Sequence, residues 1–489
     1  MGQRITIDPI TRLEGHGKIE IFLDDKGNVS NAYMQVPELR GFEQFCVGRC
    51  AEEMPRITQR ICGVCPTAHH MAATKCLDDL WKVEAPPAGK KIRELFYNLF
   101  MLEDHTLHFF YLGGPDFIVG PTAPKAERNI LGVLGKVGLE VGGRVIKARR
   151  EIREIMEMMG GKAIHPVLGL PGGVAKRVKP EEIDRIKAVA EEGISFAKFS
   201  LEAFNSIVLG NKEYVDLITA DIYNQPTYYM GLVDENNKVN FYDGMLRTVT
   251  PKGKEFNKFK IQDYAEHIAE HTESWSYIKF PFLRKVGWKG FVEGEDSGIY
   301  QVAPLARLNA SEGMSTPLAQ AEYEKMYKVL GSKPCHLTLA FHWARLVEAL
   351  NAAEIVHRLA NDPEILDPKV RNIPTETPKE GMGVVEAPRG TLIHHYKSDE
   401  NGILTDVNII VATQQNEPSI NMGINKVAKH FIKDGKVDDG ILNLVELTYR
   451  AYDPCHGCGT HSLPGGYPLT IEIKNRDGEV IREISNRKG

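Results

Sequence analysis

The chain has 489 residues, about three times the ~150 residues that serve as a soft prior for one domain. With 42% hydrophobic and 26% charged residues it has a globular composition, which excludes a disordered chain, a collagen-like fibre and a small disulfide scaffold. The net charge of −5 is spread evenly and no basic tract suggests nucleic acid; no run nears the ~18 apolar residues of a membrane span, and the charged first thirty residues are not a secretory signal.

Residues 17–23 and 29–36 alternate apolar and polar positions across Asp24-Asp25-Lys26-Gly27-Asn28, which predicts a hairpin. Residues 41–82 read as irregular to helical. Residues 90–112 carry Ile92, Leu95, Phe96, Leu99, Leu102 and Leu107 at helical spacing. Further helices are expected over 125–159, 180–209 and 314–360, the last broken at Gly331-Ser332-Lys333-Pro334. A second hairpin is expected from 228–233 and 238–242. Residues 362–388 read as a long irregular connection, 392–395 and 404–411 as strands, and 425–432 as a short helix. Residues 469–473 and 480–484 form a third candidate hairpin. The expected class is α+β, mainly α, with a central long-helix bundle, small peripheral antiparallel sheets and one domain over 1–489.

Without a secretory signal, eight cysteines argue for metal or redox chemistry. Two C-x-x-C pairs stand out: Cys62-Gly63-Val64-Cys65, followed by His69, and Cys455-His456-Gly457-Cys458, followed by His461. Four thiolates suit zinc, an iron–sulfur cluster, nickel or copper. Structural zinc is the bland alternative, but such sites usually staple short loops, and about 390 residues separate these pairs. Polar segments also surround them: Asp8 to His16, Arg40-Gly41-Phe42-Glu43, Glu103-Asp104-His105, and Glu386 to Gly390. Cys46, Cys50, Cys76 and Cys335 read as buried packing thiols, with Cys46 and Cys50 on one helical face.

Taken together, these five motifs, spread from residue 8 to residue 461, resemble the large, catalytic subunit of nickel–iron hydrogenases. The resemblance implies nickel held by Cys62, Cys65, Cys455 and Cys458, with Cys65 and Cys458 bridging to an iron that carries carbon monoxide and cyanide. His69 would hydrogen-bond the sulfur of Cys65. Arg389 would stand over the open metal position, Pro388 would line the diatomic-ligand pocket, and Asp104 and Asp453 would hold the arginine. Glu14 would relay the proton that heterolytic cleavage of dihydrogen leaves on Cys455 or Cys458. Glu43 and His461 would bind magnesium, or iron as in some relatives.

Read in isolation, His69 is equally well a core histidine, Arg389 one half of a surface ion pair, and Glu14 a partner of Arg12. The related large subunit of respiratory complex I is the non-enzymatic alternative, a metal-free structural or quinone-binding subunit, but it lacks the four thiolates. Too few cysteines remain for a chain of clusters, so electrons would leave through an iron–sulfur small subunit, then further electron-transfer subunits. The subtype resembled is the cytoplasmic, methyl-viologen-reducing one that feeds heterodisulfide reductase. In the family a protease commonly removes the residues after the final histidine, here 462–489; either that applies or the tail is retained.

Overall fold

The computed structural model describes residues 4–8, 10–460, 470–474 and 480–485. Four long helices build the centre: Pro87–Leu107, Ile130–Gly160, Pro180–Phe204 and Phe341–Ala360. The last is packed by Pro87–Leu107 and Pro180–Phe204, and is buried on nearly every face, down to Arg345 and Glu348. A helix apolar on one stripe would not need this; here the polar residues inside must find partners inside. Hydrophobic residues from Ile7 to Cys458 join one continuous core that includes all four motif cysteines.

Each long helix ends or bends for a local reason. The expected 90–112 helix is α-helical over Pro87–Leu107 and widens to a π turn at His108–Gly113. The helix starting at Pro180 likewise gives way to a π turn at Asn205–Leu209. Ile130–Gly160 is two segments, because Gly138 takes φ 84° and ψ 164°, a conformation open to glycine alone. The expected 314–360 helix resolves into Pro317–Leu330 and Phe341–Ala360.

The sheets sit at the periphery. The N-terminal hairpin, Lys18–Leu23 with Val29–Gln35, gains Arg4–Ile7 as a third strand. The expected 228–233/238–242 hairpin is corrected in part. Its turn forms, since the Asp234 carboxylate accepts the amides of Asn236 and Lys238. The chain then loops out, and Tyr228–Val233 pairs with Met245–Val249 instead.

Two expectations near the motifs were wrong. Within the supposed irregular stretch 362–388, Glu380–Ala387 is a strand, paired with Gly390–Ser398, which pairs in turn with Leu404–Ile410. Gly381 and Gly383 hid it, because glycine depletes a strand signal. Both are needed: a Cβ on Gly383 would lie 2.3 Å from Ala72 O and 2.4 Å from Cys76 N, where the helix Pro66–Leu80 crosses. The second is the short helix 425–432, which runs from Ala412 to Phe431 despite Pro418. Its first ten residues are mostly polar yet buried, so no amphipathic stripe revealed them. The helix Asp439–Tyr452, which delivers the second motif, had no sequence reading.

The described strands Thr470–Lys474 and Val480–Ser485 pair antiparallel, as the third expected hairpin.

Candidate metal centre

Each cysteine pair lies at the start of a helix: Cys62 and Cys65 precede Pro66–Leu80, and Cys455 precedes the single turn His456–Gly459, which holds Cys458. Cys62 is extended and its sulfur accepts the amides of Val64 and Cys65, each at 3.2 Å, while Cys65 caps the helix Pro66–Leu80. In the second pair, the helix Asp439–Tyr452 stops at Asp453, which adopts the left-handed conformation (φ 58°, ψ 55°), and Cys455 precedes a single turn His456–Gly459. Thr413 Oγ1 accepts the Cys455 amide at 2.9 Å and anchors this loop to the helix Ala412–Phe431.

The four sulfurs converge. All lie within 4.8 Å of one another and all are buried. Cys65 and Cys458 are 3.2 Å apart, Cys62 and Cys455 3.3 Å, and Cys455 and Cys458 2.8 Å. Burial opposes ionisation here, yet hydrogen bonds from the other thiols and the charge of Arg389 hold Cys62 well below the usual thiol range. Cys455 and Cys458 are pushed well above it, by burial first and by the neighbouring sulfurs. Four buried thiols competing for one negative charge form a donor set that a soft cation relieves.

Glu14 arrives through a strand-like rung between the chain ends: its amide faces Pro454 O, and its carbonyl accepts the His456 amide at 3.0 Å. Its carboxylate accepts from the Cys455 thiol at 2.9 Å and the Gly457 amide at 3.0 Å. Burial, with the Cys62 charge added, pushes this carboxyl above the usual range.

Arg389 occupies the two-residue turn between Glu380–Ala387 and Gly390–Ser398. Its Nε donates to Asp453 O at 2.7 Å, Nη2 lies 2.8 Å from Asp453 Oδ2, and Nη1 lies 3.3 Å from Asp104 Oδ2. Burial outweighs the arginine and lifts Asp104 to about 7, and raises Asp453 also. Pro388 shares the turn, where its carbonyl accepts from Arg307 at 3.2 Å.

The remaining expectations divide. His69 sits where the motif put it, but its ring Nε2 lies 3.3 Å from the sulfur of Cys458, where Cys65 was expected. Its other nitrogen, Nδ1, is 3.2 Å from His394 Nε2, a contact that fixes the ring in this orientation. Glu43 is buried, and its Oε1 accepts the Ile409 amide at 2.7 Å. His461 lies outside the described residues. Cys46, Cys76 and Cys335 are buried as expected, whereas Cys50 is half-buried and shares no helix with Cys46, because Gly48 (φ 83°) turns the chain between them.

Three contributors had escaped sequence reading. Arg345 donates twice to Ala451 O, at 3.2 and 3.3 Å, and so braces the end of the helix that presents Asp453. Arg307 ties the strand carrying Arg389 to the bundle: Glu348 meets its Nε at 2.7 Å and Glu386 its Nη1 at 2.9 Å. Thr413 is the third. The available signal was an Arg and a Glu three apart, Arg345 and Glu348, inside an otherwise Ala- and Leu-rich helix.

Fold and site together define a protein with a buried four-thiolate metal centre, flanked by a carboxylate and a doubly held guanidinium. The family model described as nickel-dependent hydrogenase matches residues 40–130 and 144–461, and one described as HoxL-like matches 4–39. The chain therefore belongs to the nickel-dependent hydrogenases and is a nickel–iron hydrogenase large subunit. It is 50% identical to an F420-non-reducing hydrogenase iron-sulfur subunit of Archaeoglobus profundus, over 99% of this chain and 100% of that protein. Identity to an F420-non-reducing hydrogenase subunit of Methanothermobacter marburgensis is 39%, over 98% and 100%. Among solved structures, an NAD+-reducing [NiFe]-hydrogenase in the H2-reduced state superposes with a TM-score of 0.87 at 35% identity, covering 94% of this chain and 99% of that one.

Proposed function

We propose that this hydrogenase subunit cleaves dihydrogen heterolytically at a nickel held by Cys62, Cys65, Cys455 and Cys458. In this reading Cys65 and Cys458 are shared with an iron that carries carbon monoxide and cyanide. The observation that carries it is the convergence of the four sulfurs within 4.8 Å beside both Glu14 and Arg389. When bound, the metal pair supplies soft, redox-active coordination with an open position for dihydrogen. The chain's own groups do the rest. Arg389, fixed by Asp104 and Asp453, holds a positive charge at the site, and Pro388 shapes the pocket for the diatomic ligands. Glu14 Oε2 takes the proton from the Cys455 sulfur, which it meets at 2.9 Å, and burial raises this carboxyl above its usual range, which favours its holding a proton. His69 tunes the Cys458 sulfur by hydrogen bonding.

Glu43 and His461 are assigned to magnesium, with iron as the variant. A carboxylate, an imidazole and waters make a normal set for a hard cation. Electrons leave through an iron–sulfur small subunit, since four of the eight cysteines are committed and none of the other four joins a second cluster among the described residues. Relatives named as subunits of F420-non-reducing hydrogenases support an assembly with further subunits; that these carry electrons on to heterodisulfide reductase, in the cytoplasm, is part of the same proposal. No described helix is long and apolar enough to cross a membrane. The chain is read as one domain, with 462–489 a maturation peptide or a retained tail that an intact mass of the active enzyme distinguishes.

Metal analysis and Cys458→Ser test the core of this. Nickel and iron in the purified enzyme, and loss of dihydrogen uptake in the variant, are expected. Stoichiometric zinc without nickel would refute it.

A further inference from the structure

The hydrogen bond that His69 makes to the sulfur of Cys458 is the last link of a longer chain. His69 Nε2 lies 3.3 Å from that sulfur, and its Nδ1 lies 3.2 Å from His394 Nε2. His394 Nδ1 in turn meets the phenolic oxygen of Tyr396. Every leg is a contact between two side chains. His69, His394 and Tyr396 are 1%, 0% and 0% exposed, in surroundings where such bonds are strong. The chemistry above uses only the first of them.

A sheet and a helix bring the three together. His394 and Tyr396 stand two apart on the strand Gly390–Ser398, which puts both side chains on one face. In the pairing with Glu380–Ala387 they lie opposite Gly383 and Gly381. Neither glycine fills that face, and the helix Pro66–Leu80 settles onto it. A Cβ on Gly381 would lie 2.4 Å from Cys76 O, and one on Gly383 2.3 Å from Ala72 O. His69, Ala72 and Cys76 follow at three- and four-residue spacing, so the helix face that rests on the glycines also carries His69.

A chain of this kind has a direction. A neutral imidazole carries one donor and one acceptor, and a metal-bound thiolate only accepts. With the Cys458 sulfur as terminal acceptor, His69 must donate from Nε2 and accept at Nδ1. His394 must then donate from Nε2 and accept at Nδ1, and the Tyr396 hydroxyl must donate. Burial pushes this phenol well above its usual range, so it keeps the proton the chain needs at its head. The Thr58 hydroxyl also meets the phenol, but it gives its own proton to Met54 O at 2.7 Å. We propose that His394 and Tyr396 are positioning residues that hold His69 as a one-way donor to the Cys458 sulfur, and so set how much electron density this thiolate gives the metals. Three aligned donors polarise one another, which strengthens the last bond beyond what His69 supplies alone. A hydrogen bond to a thiolate withdraws electron density, so the chain raises the potential of the centre. The inference rests on the proposed reading of Cys458 as the sulfur shared by nickel and iron.

The test reads the infrared bands of the intact, metal-loaded enzyme rather than its turnover. Wild type is compared with Tyr396→Phe, His394→Leu and His394→Gln. The glutamine amide has a donor for His69 Nδ1 and an acceptor for Tyr396, whereas leucine has neither. The carbon monoxide band should move to lower wavenumber in Tyr396→Phe and further in His394→Leu, because more electron density reaches the iron. It should return to the wild-type position in His394→Gln. Nickel midpoint potentials should fall in the same order. Unshifted bands in Tyr396→Phe overturn the proposal, since the phenol proton then goes to Thr58. Should that variant load no nickel, the two His394 variants decide: equal band positions in His394→Leu and His394→Gln overturn it. A wild-type enzyme without carbon monoxide and cyanide bands refutes the reading of the centre itself, whereas wild-type bands that no variant moves refute only the role of the chain.

Discussion

Replacing Glu417, a fully buried carboxyl on the helix Ala412–Phe431, with glutamine should change how the stability of this subunit depends on pH, and the size of the change follows from the position of the carboxyl. Burial moves the group from its ordinary 4.5 to about 8 in the folded chain. That difference of about 3.5 corresponds to ~5 kcal/mol at ~1.36 kcal/mol per pH unit. The sign follows from proton binding. The folded state holds the proton more tightly than the unfolded chain, so the stabilisation is complete below about 4.5 and falls by ~1.4 kcal/mol per pH unit until the native group ionises near 8. Glutamine has no such titration. With an unfolding entropy of ~2.1 cal/mol/K per residue, a chain of 489 residues loses about 1 °C of Tm per kcal/mol. Between pH 5 and pH 8 the Tm of the variant should therefore rise relative to wild type by about 4 °C. Asp104 and Glu386, both lifted to about 7 by burial, titrate over the same interval. They do so in both proteins and cancel in the difference. Calorimetry of the two enzymes at half-unit pH steps measures it. Parallel Tm curves would show that Glu417 ionises at its ordinary pH, and the argument from its burial would fail.

Three other substitutions probe how the site is held. Asp116→Asn strips the carboxylate shared by Arg12 and Arg450, each 2.7 Å away, and leaves the fully buried Arg450 with Glu446 as its remaining acid. Breaking a buried pair in this way costs ~3–5 kcal/mol, read as a Tm about 3–5 °C lower. Gly383→Ala drives a methyl group into the backbone of Ala72 and Cys76. A loss of ~1–3 kcal/mol and reduced nickel content per chain should follow, because the displaced strand carries Arg389. Thr413→Val leaves the Cys455 amide without its acceptor, at ~1–3 kcal/mol. Thr413→Ser should restore both Tm and nickel content, and failure of serine to do so would assign the loss to the methyl group instead.

What was legible in the sequence depended on whether a residue's task was local. The cysteine pairs, Arg389 and Asp453 lie in short motifs whose geometry is set within a few residues, and the structure brings them together. The long helices were legible because their apolar periodicity is strong, as in Pro87–Leu107. The strand Glu380–Ala387 was not, because Gly381 and Gly383 answer to a helix about three hundred residues away and weaken the local pattern that would mark a strand. The first half of Ala412–Phe431 was hidden for the opposite reason: residues that look solvent-facing are buried. Thr413, Gln415, Asn416 and Asn421 each bond to a distant backbone group. His69 shows the same limit at single-residue scale. Its motif fixes the helix position, but His394, on a strand the motif does not contain, sets which sulfur the ring meets. A centre assembled from both ends of a chain needs polar braces from its middle, and such braces carry no local signature. In this fold they are Arg307, Arg345 and the polar first half of Ala412–Phe431, and they connect the metal loop to the rest of the molecule.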